Sequence, residues 1–190
     1  DRKTEDYQVL FMGKSGYGKS STINALIGQN AMITSDVEAC TKDAFTVEYS
    51  LNAQKTRYLS FCDLPGIAES EKTDNEYLAL YENMLYHCFC IVYVLRADMR
   101  DYTRDLALFR EKLSPYRARI VIAINCADKA EPTSRESTDL TGEQIDNLEC
   151  KRSSVSQIFH MPKEQVIYYS ARERINLDVL MHQIYNRMTI

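Results

Sequence analysis

The sequence predicts an α/β fold: a doubly wound, mostly parallel six-stranded sheet with helices on both faces. Strand-like and helix-like segments alternate along its 190 residues, as parallel strands joined by crossover helices require. Two near-continuous apolar runs, at 89–95 and 119–124, are typical of strands buried on both faces. A glycine-rich segment at 13–20 separates a strand-like run from a helix-like one. A chain of this length holds one buried core, so we expect a single domain, 1–190, with its core at about 7–188.

Hydrophobic periodicity places the elements of the first half. A short apolar run precedes the glycine-rich segment, and Ile23, Leu26 and Ile27 follow it at helical spacing. Two strand-like runs lie on either side of an Asn-Ala-Gln turn, which favours a hairpin. The predicted elements are, in order, a strand at 7–12, a helix at 21–27, strands at 44–51 and 56–62 with their turn at 52–54, and a helix at 74–87 with Tyr77, Leu80, Tyr81, Met84 and Leu85 on one face.

The second half continues the alternation. Thr141 and Gln144 resemble a capping box, so we expect a helix to begin there and to continue through Leu148, with Ser153 and Ser154 weakening it. Asn176 is expected to cap the last helix. The predicted elements are a strand at 89–95, a helix carrying Tyr102, Leu106, Phe109 and Leu113, a strand at 119–124, a loop at 127–140, the helix after Thr141, a strand at 165–169, and a last helix with Leu177, Leu180, Met181, Ile184 and Met188 inward.

Composition excludes several classes of protein. Hydrophobic residues make up 45% of the chain and charged residues 26%, a balance that is ordinary for a soluble domain. The net charge of −4 argues mildly against a dominant nucleic-acid surface. No apolar run reaches the roughly 20 residues of a membrane span, and no signal peptide opens the chain, so we expect a cytoplasmic protein. Because the first residue is Asp, we expect a piece of a longer protein.

Six cysteines occur, and their spacing does not predict a metal site. They form no C-x-x-C pair, and no histidine lies at zinc-finger spacing from them. Without a secretion signal, free buried thiols are expected. The cysteines are Cys40, Cys62, Cys88, Cys90, Cys126 and Cys150.

Residues 13–20 read Gly-Lys-Ser-Gly-Tyr-Gly-Lys-Ser, which matches the phosphate-binding pattern G-x-x-x-x-G-K-[ST]. A loop that wraps a polyphosphate turns its backbone N–H groups inward, and glycine permits the torsions that this needs. Lys19 would neutralise the β- and γ-phosphates, and the Ser20 hydroxyl would hold Mg²⁺. The flanking strand and helix are in the required order, and the helix dipole points at the phosphates. The predicted binding residues are Gly13, Ser15, Gly16, Tyr17, Gly18, Lys19, Ser20 and Ser21.

A second phosphate element follows the strand at 56–62. Residues 63–66 read Asp-Leu-Pro-Gly. The Asp63 carboxylate, at a strand end facing the first loop, can hold the magnesium shell. Gly66 can bring its backbone N–H against the γ-phosphate, where a Cβ would crowd. Taken alone, Asp-Leu-Pro-Gly could be an ordinary turn, but the phosphate-binding pattern upstream favours a role in binding magnesium and phosphate.

These motifs, together with Asn-Cys-Ala-Asp at 125–128 and Ser170-Ala171, fall in the order and spacing of the small GTPases. The chain resembles most the Era-like branch of the TRAFAC class, the 50S ribosome-binding type, over about 7–188. The resemblance implies a Ras-like G domain that binds GTP or GDP with Mg²⁺. It also implies that Asp128 accepts two hydrogen bonds from guanine and that Asn125 ties this loop to the phosphate loop. The Ala171 N–H would donate to guanine O6. The family's usual lysine, whose stem packs over the base, is Cys126 here.

The resemblance also implies a switch. A threonine ahead of the hairpin should reach Mg²⁺ and the γ-phosphate; of Thr34 and Thr41 we choose Thr41, which lies just before the strand at 44–51. Many GTPases place a glutamine directly after Asp-x-x-Gly, but Ile67 stands there and cannot orient water. The potassium-activated branch has an asparagine where Gly16 stands. Lys19, Thr41 and Gly66 are therefore the predicted catalytic groups, and slow hydrolysis is expected.

The predicted function is thus a GTP-binding switch that hydrolyses GTP slowly. Nucleotide would order 30–43 and 67–75, and hydrolysis would release them. One alternative is a nucleotide-gated module that dimerises across its nucleotide faces with little catalysis, and another is an ATP-using P-loop NTPase. The effector, a protein or ribosomal RNA, is not named by any motif, because the fold hosts many functions.

Overall fold

The computed structural model describes residues 5–28, 45–51, 53, 57–67, 71–134 and 136–188. Its strands and longer helices follow the predicted order. They are β1 (Glu5–Met12), α1 (Lys19–Ile27), β2 (Phe45–Ser50), β3 (Arg57–Asp63), α2 (Glu71–His87), β4 (Cys90–Arg96), α3 (Thr103–Leu108), β5 (Ile120–Asn125), α4 (Gly142–Ile158), β6 (Val166–Tyr168) and α5 (Leu177–Met188). Thr41 and the segment at 30–43 lie outside the described residues, as does most of the turn at 52–54.

Within the described residues, six strands form one sheet in the order β2-β3-β1-β4-β5-β6. β2 runs antiparallel to β3, which is the predicted hairpin. The other four pairings are parallel. The chain steps one way from β1 to β3 and the other way from β3 to β4, so right-handed crossovers place their helices on opposite faces. The predicted fold class is confirmed.

The core is centred on the two strands that the apolar runs predict. Every residue of β5 is buried, and β4 is buried as far as Leu95. Helix α2 buries Tyr81, Met84 and Leu85 from its predicted face. Helices α1 and α5 contact each other and add Ile23 and Ile184 to the same core. This packing fixes the carboxyl ends of β1, β3, β4, β5 and β6 at one edge of the sheet, where open α/β sheets bind ligands.

The capping box at Thr141 is confirmed. The Gln144 N–H donates to Thr141 Oγ1 (3.2 Å), and the Thr141 N–H donates to Gln144 Oε1 (3.0 Å). Helix α4 continues through the two serines expected to weaken it, because each hydroxyl donates to a backbone carbonyl one turn earlier: Ser153 to Glu149 (2.8 Å) and Ser154 to Cys150 (3.0 Å).

Two helical predictions need correction. The stripe from Tyr102 to Leu113 is buried or half-buried as predicted, but α3 is short and continues as a π-helical segment, Phe109–Leu113. Asn176 does not cap α5 with its side chain. Its backbone is left-handed (φ 54°), its amide donates to Tyr168 O (3.1 Å), and its carbonyl accepts from the Leu180 N–H (3.1 Å).

The five described cysteines are free thiols. Cys62, Cys88 and Cys90 are buried as expected, whereas Cys126 is half-buried and Cys150 is exposed. Burial raises the pKa of Cys88 to about 11, so this thiol stays protonated at neutral pH. No helix in the described part of the chain combines the length and apolarity that a membrane crossing needs.

Candidate functional site

The loop between β1 and α1 needs glycine at two positions for steric reasons. Gly13 has φ 138°, and a Cβ there would lie 2.5 Å from the carbonyl oxygen of Val94 on β4. Gly18 has φ 92°, and a Cβ there would overlap the side-chain amide of Asn125. The two glycines therefore let the loop pack against the carboxyl ends of β4 and β5. Gly16 (φ 76°) needs glycine for its torsion alone, because a Cβ there meets nothing within 4 Å.

This difference predicts unequal effects of alanine in the loop. Gly13→Ala combines a backbone overlap with a strained φ, and we expect it to destabilise the fold by about 2–4 kcal/mol. Gly16→Ala adds only the torsional strain, about 1–2 kcal/mol. Urea unfolding without nucleotide measures both, and equal losses for the two variants would contradict the geometry.

Lys19 opens α1 and lies at the centre of the loop. Its side chain is 7% exposed. Its ammonium donates to the carbonyl oxygens of Gly13 (3.0 Å) and Lys14 (3.1 Å). The loop therefore holds a positive charge at the helix N-terminus, where the backbone dipole also favours an anion.

Ser20 and Asp63 meet across the gap between α1 and β3. The Ser20 hydroxyl donates to Asp63 Oδ2. The other carboxylate oxygen, Oδ1, is buried and has no hydrogen-bond partner among the described residues. A buried carboxylate oxygen is costly to leave unpaired, and hydroxyl and carboxylate oxygens are ligands that Mg²⁺ prefers. The predicted magnesium pair is therefore assembled, and its donor set fits the ion.

The Asp-Leu-Pro-Gly segment is tied to the first loop through its backbone. The Leu64 N–H donates to Phe11 O (3.2 Å), and the Ile67 N–H donates to Gly13 O (3.1 Å). Gly66 is half-buried beside these contacts. The Ile67 side chain is 2% exposed and belongs to the hydrophobic core, so it has no part in positioning water.

Asn125 joins three loops. Its side-chain amide donates to Tyr17 O in the phosphate loop (3.0 Å), and its Oδ1 accepts from the Ala171 N–H (3.1 Å). The predicted tie between the loops is present. The Ala171 N–H, which we predicted to donate to guanine O6, is already used by Asn125, so that role requires the donor to be shared.

Asp128 and Ser170 form the adjacent pair. The Ser170 hydroxyl donates to Asp128 Oδ1 (2.6 Å) and accepts from the Glu173 N–H (3.0 Å). The Asp128 carboxylate is half-buried. Two oxygens offer about four acceptor positions, so the carboxylate keeps capacity for a ligand.

The tip of the first loop and the segments after β5 and β6 line one cavity of about 460 Å³ at the carboxyl edge of the sheet, whereas Lys19, Ser20, Asp63 and Gly66 are not among its lining residues. Its walls include Gly16, Gly18 and Ser21 from the first loop and α1, Asn125, Cys126 and Asp128 at and just after the end of β5, and Ser170 and Ala171 after β6. The cavity therefore brings together segments that are far apart in the sequence. Of the other predicted residues, Ser15 is exposed at the loop tip, and Tyr17 is buried but lines the cavity.

Two features of the site are not predicted by any sequence motif. Arg96, the last residue of β4, lines the same cavity. A charge directly after a buried strand run, at the edge where ligands bind, is the signal that could have found it. The other feature is an ion pair between Lys14 Nζ and Asp105 Oδ2 (3.0 Å), which links the loop to α3.

Asp105 is fully buried, and burial raises the pKa of its carboxyl. The Lys14 ammonium and the Tyr93 hydroxyl, which donates to Oδ1 (3.0 Å), oppose that shift. Partial burial opposes a raised pKa at Lys14, but its hydrogen bond and attraction to Asp105 raise the pKa nevertheless. The pair therefore anchors the phosphate loop to α3.

Comparison with known proteins gives the family. The model of the 50S ribosome-binding GTPase family matches residues 8–126. The uncharacterized protein YfjP of Escherichia coli is 34% identical over 177 residues, covering 93% of this chain and 60% of that protein. This chain thus spans about three fifths of the relative's length.

Solved structures show the same fold. An Aquifex aeolicus Era variant bound to GDP·AlF₄⁻ aligns with a TM-score of 0.68 at 20% identity, covering 97% of this chain and 57% of that chain. A dimerisation-deficient variant of Toc33 from Arabidopsis thaliana aligns with a TM-score of 0.65 at 19% identity, covering 97% and 85%. The family match includes the phosphate loop, the Asp63 segment and Asn125, and it shows that this chain belongs to the 50S ribosome-binding GTPase family.

Proposed function

We propose that this G domain binds GTP and GDP with Mg²⁺, hydrolyses GTP slowly, and acts as a nucleotide-dependent switch. The observation that carries this proposal is the bridge made by Asn125, which hydrogen-bonds both the phosphate loop and the Ser170–Ala171 segment. One side chain thereby aligns a polyphosphate site with a pocket of the size and polarity that a nucleoside needs.

The phosphate end rests on Lys19 and on the backbone of 13–18. When a triphosphate binds, the Lys19 ammonium exchanges its carbonyl partners for phosphate oxygens, which are stronger acceptors. The loop's N–H groups and the α1 dipole add to this attraction. Ser20 and Asp63 would hold Mg²⁺, which supplies charge neutralisation at the phosphate oxygens. We assign Thr41 to the same ion and the Gly66 N–H to the γ-phosphate.

The base end rests on Asp128. Its carboxylate can accept hydrogen bonds from guanine N1–H and from the exocyclic amine. Adenine offers an acceptor at N1 and has no 2-amino group, so an adenine base would donate nothing to the carboxylate acceptor positions that the Ser170 hydroxyl does not use. An unsatisfied charged group costs more than about 1–3 kcal/mol, so guanine is preferred.

Slow hydrolysis is expected because the residue directly after Gly66 cannot orient water. Ile67 follows Gly66, and its side chain is committed to the core. We expect the isolated chain at low concentration to turn over on the order of 10⁻³ per second or more slowly, as GTPases without assistance do. Single-turnover hydrolysis of radiolabelled GTP measures this rate directly, and fast turnover at low concentration would refute the proposal.

The same assay, repeated at several protein concentrations, distinguishes the monomeric switch from the second candidate function, a nucleotide-gated dimer. The name of one structural neighbour states a dimerisation deficiency, and the cavity, which both Arg96 and Arg172 line, lies at one edge of the sheet. If a second copy completes the site, the rate per chain rises with protein concentration. A rate independent of concentration favours a monomeric switch that depends on a separate partner.

The output of the switch would be the surface formed by 30–43 and 67–75, which the γ-phosphate and Mg²⁺ would order. We infer that a protein or an RNA reads this surface. We also infer a cytoplasmic location, which the five free thiols support because reducing compartments keep cysteines unpaired.

A further inference from the structure

The cavity wall lacks a charge at the position after Asn125. Cys126 stands there, half-buried and with a left-handed backbone (φ 62°). Burial raises the pKa of its thiol, so the group is neutral at physiological pH. A small neutral thiol offers neither the area nor the charge that would hold a purine ring by its face.

Arg96 brings a cation to the same cavity from another strand. It ends β4, and its side chain is 25% exposed. Arg96 Nη1 donates to Gly16 O in the phosphate loop (3.4 Å). Nε and Nη2 donate to the two oxygens of Asp98 (2.9 and 2.6 Å), which holds the guanidinium in a two-point fork. The hydrogen bonds from Arg96 lower the pKa of Asp98, so this carboxylate stays ionised.

The hydrogen bonds of Arg96 leave its faces for a ligand. A guanidinium is planar, and its N–H groups point outward in that plane. All three nitrogens of Arg96 donate to protein acceptors. These bonds use three of the five N–H groups and hold the flat surface in place, and flat cations stack on aromatic rings.

We propose that Arg96 is a nucleotide-binding residue whose guanidinium packs on the face of the guanine base and takes the place of the side chain that Cys126 does not supply. This proposal rests on the function proposed above. It assigns two separate contacts to the base: Asp128 reads the edge and fixes specificity, while Arg96 packs on the face and adds affinity without specificity.

Titration of fluorescent GDP into the Arg96→Ala variant tests this assignment. We expect GDP affinity to fall about 3- to 30-fold, the range of a partly desolvated cation–aromatic contact. Inosine diphosphate should lose the same factor, because it keeps the ring face and lacks only the 2-amino group that Asp128 reads. Arg96→Lys, which keeps the charge but not the planar fork, should retain part of the affinity. Arg110→Ala, at an exposed arginine on the π-helical segment, is the matched control.

Inorganic tripolyphosphate distinguishes packing on the base from support of the loop. It occupies the phosphate loop and has no base. Tripolyphosphate should therefore displace fluorescent GDP from Arg96→Ala and from the wild type with the same inhibition constant. An equal loss for tripolyphosphate would overturn the proposal, because Arg96 would then act only through Gly16. Unchanged GDP affinity in Arg96→Ala would overturn it as well.

A lysine at position 126 provides the complementary measurement. In the Arg96→Ala background, Cys126→Lys should recover affinity, because a cationic side chain returns to the same wall. If the wild type binds GDP and neither variant changes that affinity, this inference fails while the proposed function stands. If the wild type binds no guanine nucleotide, the proposed function itself fails.

Discussion

Lys19→Ala is expected to weaken GTP and GDP binding by at least about 100-fold, the largest effect of any single substitution in this chain. The ammonium would make charge-assisted hydrogen bonds to two phosphate groups, each worth about 1.5–3 kcal/mol. Alanine removes both and leaves the helix dipole and backbone amides alone with the phosphate charge. Both nucleotides should lose the contact to the β-phosphate. GTP should lose more affinity in total, because only GTP carries the γ-phosphate.

The fold should survive this substitution. Lys19 hydrogen-bonds the backbone carbonyls of Gly13 and Lys14, and alanine removes these contacts without adding volume to the loop. Isothermal titration calorimetry measures the affinity, and thermal unfolding without nucleotide reports the fold. Lys112→Ala, at an exposed lysine outside the cavity, should bind as the wild type does. Retained nucleotide binding by Lys19→Ala would contradict the phosphate assignment.

Asp128→Asn is expected to lower GDP affinity about 30- to 1,000-fold and to raise affinity for xanthosine diphosphate. The carboxylate accepts from guanine N1–H and from the 2-amino group. Asparagine keeps one acceptor and turns the other position into a donor, which opposes the guanine amine. Xanthine has a carbonyl at that position, so the asparagine amide fits it, and the change in preference is chemical rather than steric.

Competition of guanosine, xanthosine and adenosine diphosphates against fluorescent nucleotide measures the change in base preference between the wild type and Asp128→Asn. The Ser170 hydroxyl donates to Asp128 Oδ1, and it can rotate to suit an amide oxygen, so the loop is expected to keep its shape. A uniform loss for all three bases would mean that Asp128 acts on loop structure and does not read the base edge.

Local pattern was sufficient to predict the fold because the signals are strong and contiguous. The two apolar runs became β4 and β5, and the capping box at Thr141 formed as its sequence implied. The phosphate loop, the Ser20–Asp63 pair and the bridge at Asn125 also follow from motif spacing. These features depend on residue types that have few other uses at such spacings.

The parts that could not be predicted depend on long-range contacts. Arg96 reaches Gly16 across 80 positions of sequence, and its role is visible only when β1 and β4 are neighbours in the sheet. The Ala171 N–H was free in the sequence argument but is used by Asn125 in the fold. The side-chain amide of Asn176 donates to the carbonyl of Tyr168 at the end of β6 instead of capping α5.

A titration of the wild-type chain with GDP and Mg²⁺, repeated in the presence of excess ATP, is the decisive experiment for guanine recognition. We expect saturation at one GDP per chain and an affinity that ATP leaves unchanged, since the carboxylate after β5 rejects the adenine edge. Displacement of GDP by ATP at comparable concentration would contradict guanine recognition, and absence of any GDP binding would contradict the nucleotide site as a whole.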